Sequence, residues 1–193
     1  MVSIKYTANK LPKSEFSRIS ADQNSETVNH RLHPESYQIG LGEEGVFQVE
    51  PYKSELLPLW RFQTAHMARI SSRAILTLYE KYKISRDFVG MDMARKYLQM
   101  GWTRARRYAN HKSGRKYDGP VPVEHRGESG SWGRPELPLE PDDEKARAAA
   151  VFFEAYRRVL DDPFYQLLRS RHLERYGRLV RGKARKNTAD SRM

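Results

Sequence analysis

Apolar side chains recur at helical spacing in four stretches of the chain. The first runs from Thr64 to about Lys83, where Met67, Ile70, Ala74, Leu78 and Tyr82, flanked by Ile75 and Tyr79, form an amphipathic stripe with Thr64 as N-cap. In the second, from 87 to 112 with Ser85 or Asp87 as cap, Met91, Ala94, Leu98, Trp102, Ala105 and Ala109 fall in one arc at 100° per residue. A third starts at Pro141-Asp-Asp-Glu, with acids in its first turn, and continues through Ala148, Phe152, Phe153, Tyr156 and Leu160. Pro163 opens a fourth, through Leu167, Leu168, His172 and Tyr176, with Gly177 as its stop. Ahead of these, Tyr37 to Glu50 alternates around a Gly-rich turn, the pattern of a β-hairpin, ended by Pro51; Ser54 to Trp60 suits one helical turn limited by Pro58. Residues 114 to 141 are dense in Gly and Pro and predict a long surface loop. The pattern predicts a mainly α fold with a small β-hairpin (α+β), in which three to four main helices make one compact domain over 30–177. Residues 1–29, rich in Ser and Asn, are expected to be a flexible arm, and 178–193 a basic tail.

The polar side of the 87–112 helix changes this picture. Arg95, Gln99, Arg106 and Asn110 run along the stripe beside the apolar arc, and Lys96, Thr103 and Arg107 along the next. Such a helix can pack on a core while offering guanidinium and amide groups to a polyanion. The net charge of +11 is segregated to match: residues 84 to 118 carry nine Lys/Arg against three acids, +6, and residues 169 to 193 carry nine against two, +7, which leaves −2 for the rest. A field of this kind concentrates nucleic acid, anionic surfaces or acidic proteins.

Zero cysteines exclude disulfides, thiolate catalysis and thiolate metal sites. No apolar run approaches a membrane span, the N-terminus lacks the apolar core of a secretion signal, and the most basic helix needs its apolar face for the core, so no membrane association is expected. An intracellular location follows, cytoplasmic in general and nuclear in a eukaryote, where Arg178 to Lys186 would serve as an address. No cofactor motif is present, and none is expected.

Two runs, Tyr37 to Phe62 (YQIGLGEEGVFQVEPYKSELLPLWRF) and Phe88 to Gly114 (FVGMDMARKYLQMGWTRARRYANHKSG), are long enough to be specific. With them the chain resembles an uncharacterised family, the domain of unknown function numbered 4385, which has bacterial, viral and fungal members. The likeness spans roughly 30 to 118 and resumes from Asp142 to about Asp162. It implies a shared core to which the ends and the Pro/Gly-rich segment 119–138 are additions, and it offers no catalytic assignment to carry over.

The candidate nucleic-acid contacts are therefore read from the residues: Arg95, Lys96, Arg104, Arg106, Arg107, His111, Lys112, Arg115 and Lys116 toward phosphates, and Gln99 and Asn110 as able to make bidentate contacts to bases. Tyr117, beyond the helix end, is the better candidate for stacking on an unpaired base; Trp102, in the apolar arc, is expected in the core. The segment 51–62, dense in Pro, Trp and Tyr, reads either as a platform beside the basic helix or as a packed connector. Gly40 to Gly45 carries two acids and precedes no helix, and His111 to Lys116 lacks the phosphate-loop spacing, so nucleotide hydrolysis is not supported. Glu43, Glu44, Glu50, Glu55, His66, Asp92 and His111 are the groups available for catalysis, without the spacing of a known motif. His30 and His33 with Glu35 make a weak metal set, since Pro34 disfavours the helix that would align the histidines. No metal is expected there. The leading expectation is a nucleic-acid-binding protein, DNA or RNA undetermined, contacting the phosphate backbone through the 87–112 helix and the basic tail. Two alternatives stay open: a metal-dependent enzyme acting on nucleic acid or a phosphorylated small molecule, with Asp92 paired to Glu50 or Glu55, and an interaction module for an acidic protein.

Overall fold

The computed structural model describes residues 28–126 and 130–177. The expected N-terminal arm up to residue 27 and the basic tail from 178 lie outside the described residues. Five α-helices form among the described residues: α1 (Tyr52–Leu56), α2 (Ala65–Ile84), α3 (Phe88–Asn110), α4 (Asp143–Leu160) and α5 (Pro163–Tyr176). The caps follow the local chemistry. Thr64 accepts from the Met67 amide, Asp87 from Gly90, Asp142 from Lys145 and Asp162 from Phe164, each satisfying a donor that the first turn leaves without an intrahelical partner.

Helix α3 runs through the middle of the molecule. Every residue from Phe88 to Leu98 is buried, because α2, α4, α5 and the segment 37–50 enclose this half of the helix. Two helical glycines set how closely its neighbours approach. A Cβ on Gly101 would lie 2.4 Å from Phe152 Cδ1, and one on Gly90 would lie 2.6 Å from Tyr82 Cγ, so both aromatic rings rest directly on the α3 backbone.

On α2 the buried stripe is Ala65, Ala68, Ser71, Ser72, Ile75, Tyr79 and Tyr82, while Ile70 is exposed. This is a rotation of about one residue from the stripe that hydrophobicity predicts. Small side chains permit the close contact, and Ser71 is satisfied there, its hydroxyl donating to Leu59 O at 2.7 Å and accepting from the Arg61 amide at 3.1 Å.

No β-strand forms among the described residues. The hairpin expected over 37–50 is replaced by a run of turns from Gly42 to Gln48, with one isolated bridge joining Asn29 to Glu50. Tyr37, Ile39, Val46 and Val49 are buried all the same, and Val46 O accepts from Tyr97 on α3 at 2.9 Å. Apolar positions in this segment thus serve docking on the central helix rather than strand pairing.

Candidate nucleic-acid interface

The polar stripe of α3 is divided in two by what covers it. Its first turns lie beneath Tyr37 and, from α5, Tyr165. There Asp92, wholly buried, accepts from Tyr37 Oη, from Tyr165 Oη at 2.6 Å and from Arg95 Nε at 2.8 Å. Lys96, 1% exposed, donates to Glu44 O and stands 4.0 Å from Asp92 Oδ2. Burial by itself would raise the Asp92 pKa; the charges of Arg95 and Lys96, with hydrogen bonds from Arg95 and Tyr165, overcome it and hold the carboxyl at about 2. Burial drives the Lys96 ammonium down and the Tyr37 and Tyr165 hydroxyls up. Arg95 and Lys96 are therefore internal, sharing the Asp92 carboxylate, with Lys96 also donating to the Glu44 carbonyl, and the phosphate contacts expected of them are withdrawn. His111 also leaves the candidate surface: it is 4% exposed, with its Nδ1 3.2 Å from Pro138 O.

Past Gln99 the stripe opens to solvent. Gln99 is half-buried and accepts from Arg95 Nη1 through its amide oxygen. Arg104 is half-exposed; Arg106, Arg107, Asn110, Lys112 and Arg115 are exposed. None of Arg104, Arg106, Arg107, Lys112 and Arg115 has an ion-pair partner among the described residues, although the protein has many other pairs. The negative end of the helix dipole favours cations in the last turn, which accounts for Arg107 but not for Lys112 and Arg115 beyond the helix. The turn after α3 lines an open cleft of about 350 Å³ in which Lys112, Ser113 and Arg115 face Leu137, Pro138 and Glu140.

The described residues of the segment 114–141 pair with one another despite its breakers. Tyr117 bridges to Glu136, the Leu137 amide donates to Lys116 O at 2.8 Å and the Asp118 amide donates to Pro135 O at 2.9 Å, so the loop folds into a two-limbed flap. Arg134 holds it together: its guanidinium donates to Gly130 O, Ser131 O and Gly119 O and lies over the Tyr117 ring at 5.3 Å. The rings of His125 and Trp132 stack with centroids 3.6 Å apart. Lys116 pairs with Glu136 at 3.5 Å and Tyr117 is half-buried between the two limbs. Arg134 and Trp132 carry no periodic signal, and only their type, a cation and an aromatic amid Gly and Pro, marked them in the sequence.

The residues considered for catalysis do not converge. Glu50 pairs with Lys53, Glu55 with Arg31 and Tyr82, and Asp92 with Arg95 and the two tyrosines. His30 points its Nδ1 at Glu50 O, and His33 pairs with Glu35 at the exposed turn. Segment 51–62 is a packed connector: Trp60 and Phe62 are buried against each other, and Phe62 reaches Tyr108 on α3.

The model of the family described as Domain of unknown function (DUF4385) matches residues 20–175. The chain belongs to this family. No curated protein and no solved structure matches it. In this DUF4385 chain the matched span includes the buried Asp92 cluster, the open end of α3 and the flap. No helix of the described residues is long and apolar enough to cross a membrane.

Proposed function

We propose that this protein binds nucleic acid, chiefly through the phosphate backbone, on the surface formed by the last two turns of α3 and the turn that follows. The observation that carries the reading is the set of five cations, Arg104, Arg106, Arg107, Lys112 and Arg115, gathered without an ion-pair partner among the described residues. Arg95 and Arg31 are neutralised by neighbouring acids; these five are left to attract an external anion. Asn110, exposed in the same arc, adds an amide that donates and accepts. Basic residues from 178 onward would add salt-sensitive affinity without specificity. Such a ligand places the protein inside the cell, in the nucleus where the host is eukaryotic.

Charge reversal at Arg106 and Arg107 together tests the proposal. With labelled nucleic acid and fluorescence anisotropy, the double variant R106E/R107E is expected to bind at least tenfold more weakly at moderate salt, with an unchanged circular dichroism spectrum. Equal affinity in the folded double variant overturns the assignment. An acidic protein is the other partner that such a surface could take; competition of bound DNA by heparin and by a poly-glutamate chain separates phosphate preference from attraction to any polyanion.

A further inference from the structure

Trp102 packs against the edge of the core, as expected from its place in the apolar arc, but is not fully covered there. It is half-buried on the flank of α3 and heads an aromatic group with two side chains of α4: the Phe153 ring lies 4.8 Å from it and the Tyr156 ring 5.9 Å, nearly parallel to it at 23°. Phe153 is 39% exposed and Tyr156 partly so. The three rings close the edge of the α3–α4 seam and leave part of their surface in solvent. Arginines flank it on both helices, and the one on α3 is uncompensated among the described residues. Arg106 follows Trp102 by one turn on the same side of α3, exposed and without an ion-pair partner among the described residues, and Arg157 follows Phe153 by one turn on α4. Asp161, the acid at this end of α4, is engaged by Arg157 at 3.5 Å.

We propose that this aromatic group is a stacking platform for unpaired bases, so that the ligand of the basic surface is single-stranded nucleic acid. The inference rests on the nucleic-acid reading above and narrows it. In a duplex the base faces are covered by their neighbours and the outer surface offers phosphates and groove edges; only an unpaired base can lay its face on Phe153 or on the open part of Trp102. With a base there, the strand's adjoining phosphates fall to Arg106 and, further along α3, to Arg107, which ties stacking and charge into one track. The three tryptophans make the contact observable. Trp60 is 4% exposed and Trp132, on the flap, is 38% exposed, so the quench that belongs to the platform is the part lost in Trp102→Leu.

The test uses the full chain with oligothymidylate, oligouridylate and a duplex of equal length, read by anisotropy and by tryptophan fluorescence. The expected results are tighter binding of the single strands, quenching on their addition, and loss of that quench with about a tenfold fall in the preference for single strand over duplex in Trp102→Leu. Phe153→Leu, at the more exposed ring, is expected to lower the same preference and serves if Trp102→Leu does not fold. Equal affinity for duplex and single strand, or a preference untouched by both substitutions, overturns the platform. If R106E/R107E still abolishes binding in that event, the basic surface stands without it; if no variant changes binding, both readings fall. A platform that buries itself against a second copy, seen as a dimer that either substitution dissociates, also overturns the proposal.

Discussion

A carboxylate with no exposed surface, held by two tyrosines and two cations, sits inside α3 between the core and the candidate interface. Removing one member of such a cluster leaves the others charged or unpaired in a medium that solvates them poorly. Arg95→Ala is accordingly expected to destabilise the protein by about 3–5 kcal/mol in urea unfolding, far more than removal of an exposed arginine such as Arg147. A cost under about 1 kcal/mol would show that the cluster is hydrated and open. The same carboxylate gives a pH signature. With a folded pKa of about 2, below the usual value for a free aspartate, Asp92 stabilises the fold above about pH 4 and loses that contribution as pH falls toward 2. The contribution is about 2 kcal/mol, and Asp92→Asn, though less stable at neutral pH, is expected to show a flatter decline between pH 4 and 2. Parallel acid-unfolding curves for the two proteins would contradict this.

At the scale of elements, the seam between α3 and α4 depends on one missing side chain. Gly101 lies in a helix interior, where alanine is preferred by about 1 kcal/mol on propensity. A methyl group there would meet three atoms of the Phe152 ring within 2.6 Å, and Phe152 is fully buried with nowhere to turn. Overpacking wins over propensity, and Gly101→Ala is expected to lower stability by about 1–3 kcal/mol, seen as a lower Tm; a raised Tm would mean that the two helices can separate cheaply. Because Trp102 is the next residue, the same shift should loosen the aromatic group it forms with Phe153 and Tyr156. The flap, in contrast, is held by hydrogen bonds between its own limbs and by Arg134, so it contributes to the cleft after α3 without supporting the core.

Across the whole molecule, charge is sorted by what covers it. The +6 of residues 84 to 118 divides into an inner group satisfied by Asp92 and an outer group at the end of α3, and only the outer group can answer to salt. If about two phosphate contacts come from Arg106 and Arg107, their reversal should reduce the slope of log affinity against log salt by about 2, while stability in urea falls by no more than about 1 kcal/mol, the cost of an acid at the helix C-terminus. A loss of affinity with an unaltered slope would place the effect in shape rather than in counterion release.

Positions and ends of the four long helices were legible in the sequence because their causes are local, namely the apolar period, Thr64, Asp87, Asp142 and Asp162 accepting amides, Pro163 opening a helix and Gly177 closing one at φ 71°, whereas the short α1 begins at Tyr52 and not at Ser54 as expected. The exposed candidates Arg106, Arg107, Asn110, Lys112 and Arg115 were legible for the same reason, as polar positions on an amphipathic helix and in the turn after it. What covers each face is not local. Arg95 and Arg106 occupy one stripe, and nothing within α3 distinguishes them; Tyr37 and Tyr165, 58 residues before and 70 after Arg95, decide that one is internal and the other exposed. The turns over 42–48 in place of a hairpin have the same origin, since burial of Val46 and Val49 against α3 replaces the strand pairing that alternation alone would favour. The sequence by itself determined the helices, their caps and the net charge, which depend on residues a few positions apart. The tertiary structure decided which charges are neutralised, which rings reach the surface and therefore what the surface can bind, because burial depends on neighbours that the chain brings together only when it folds.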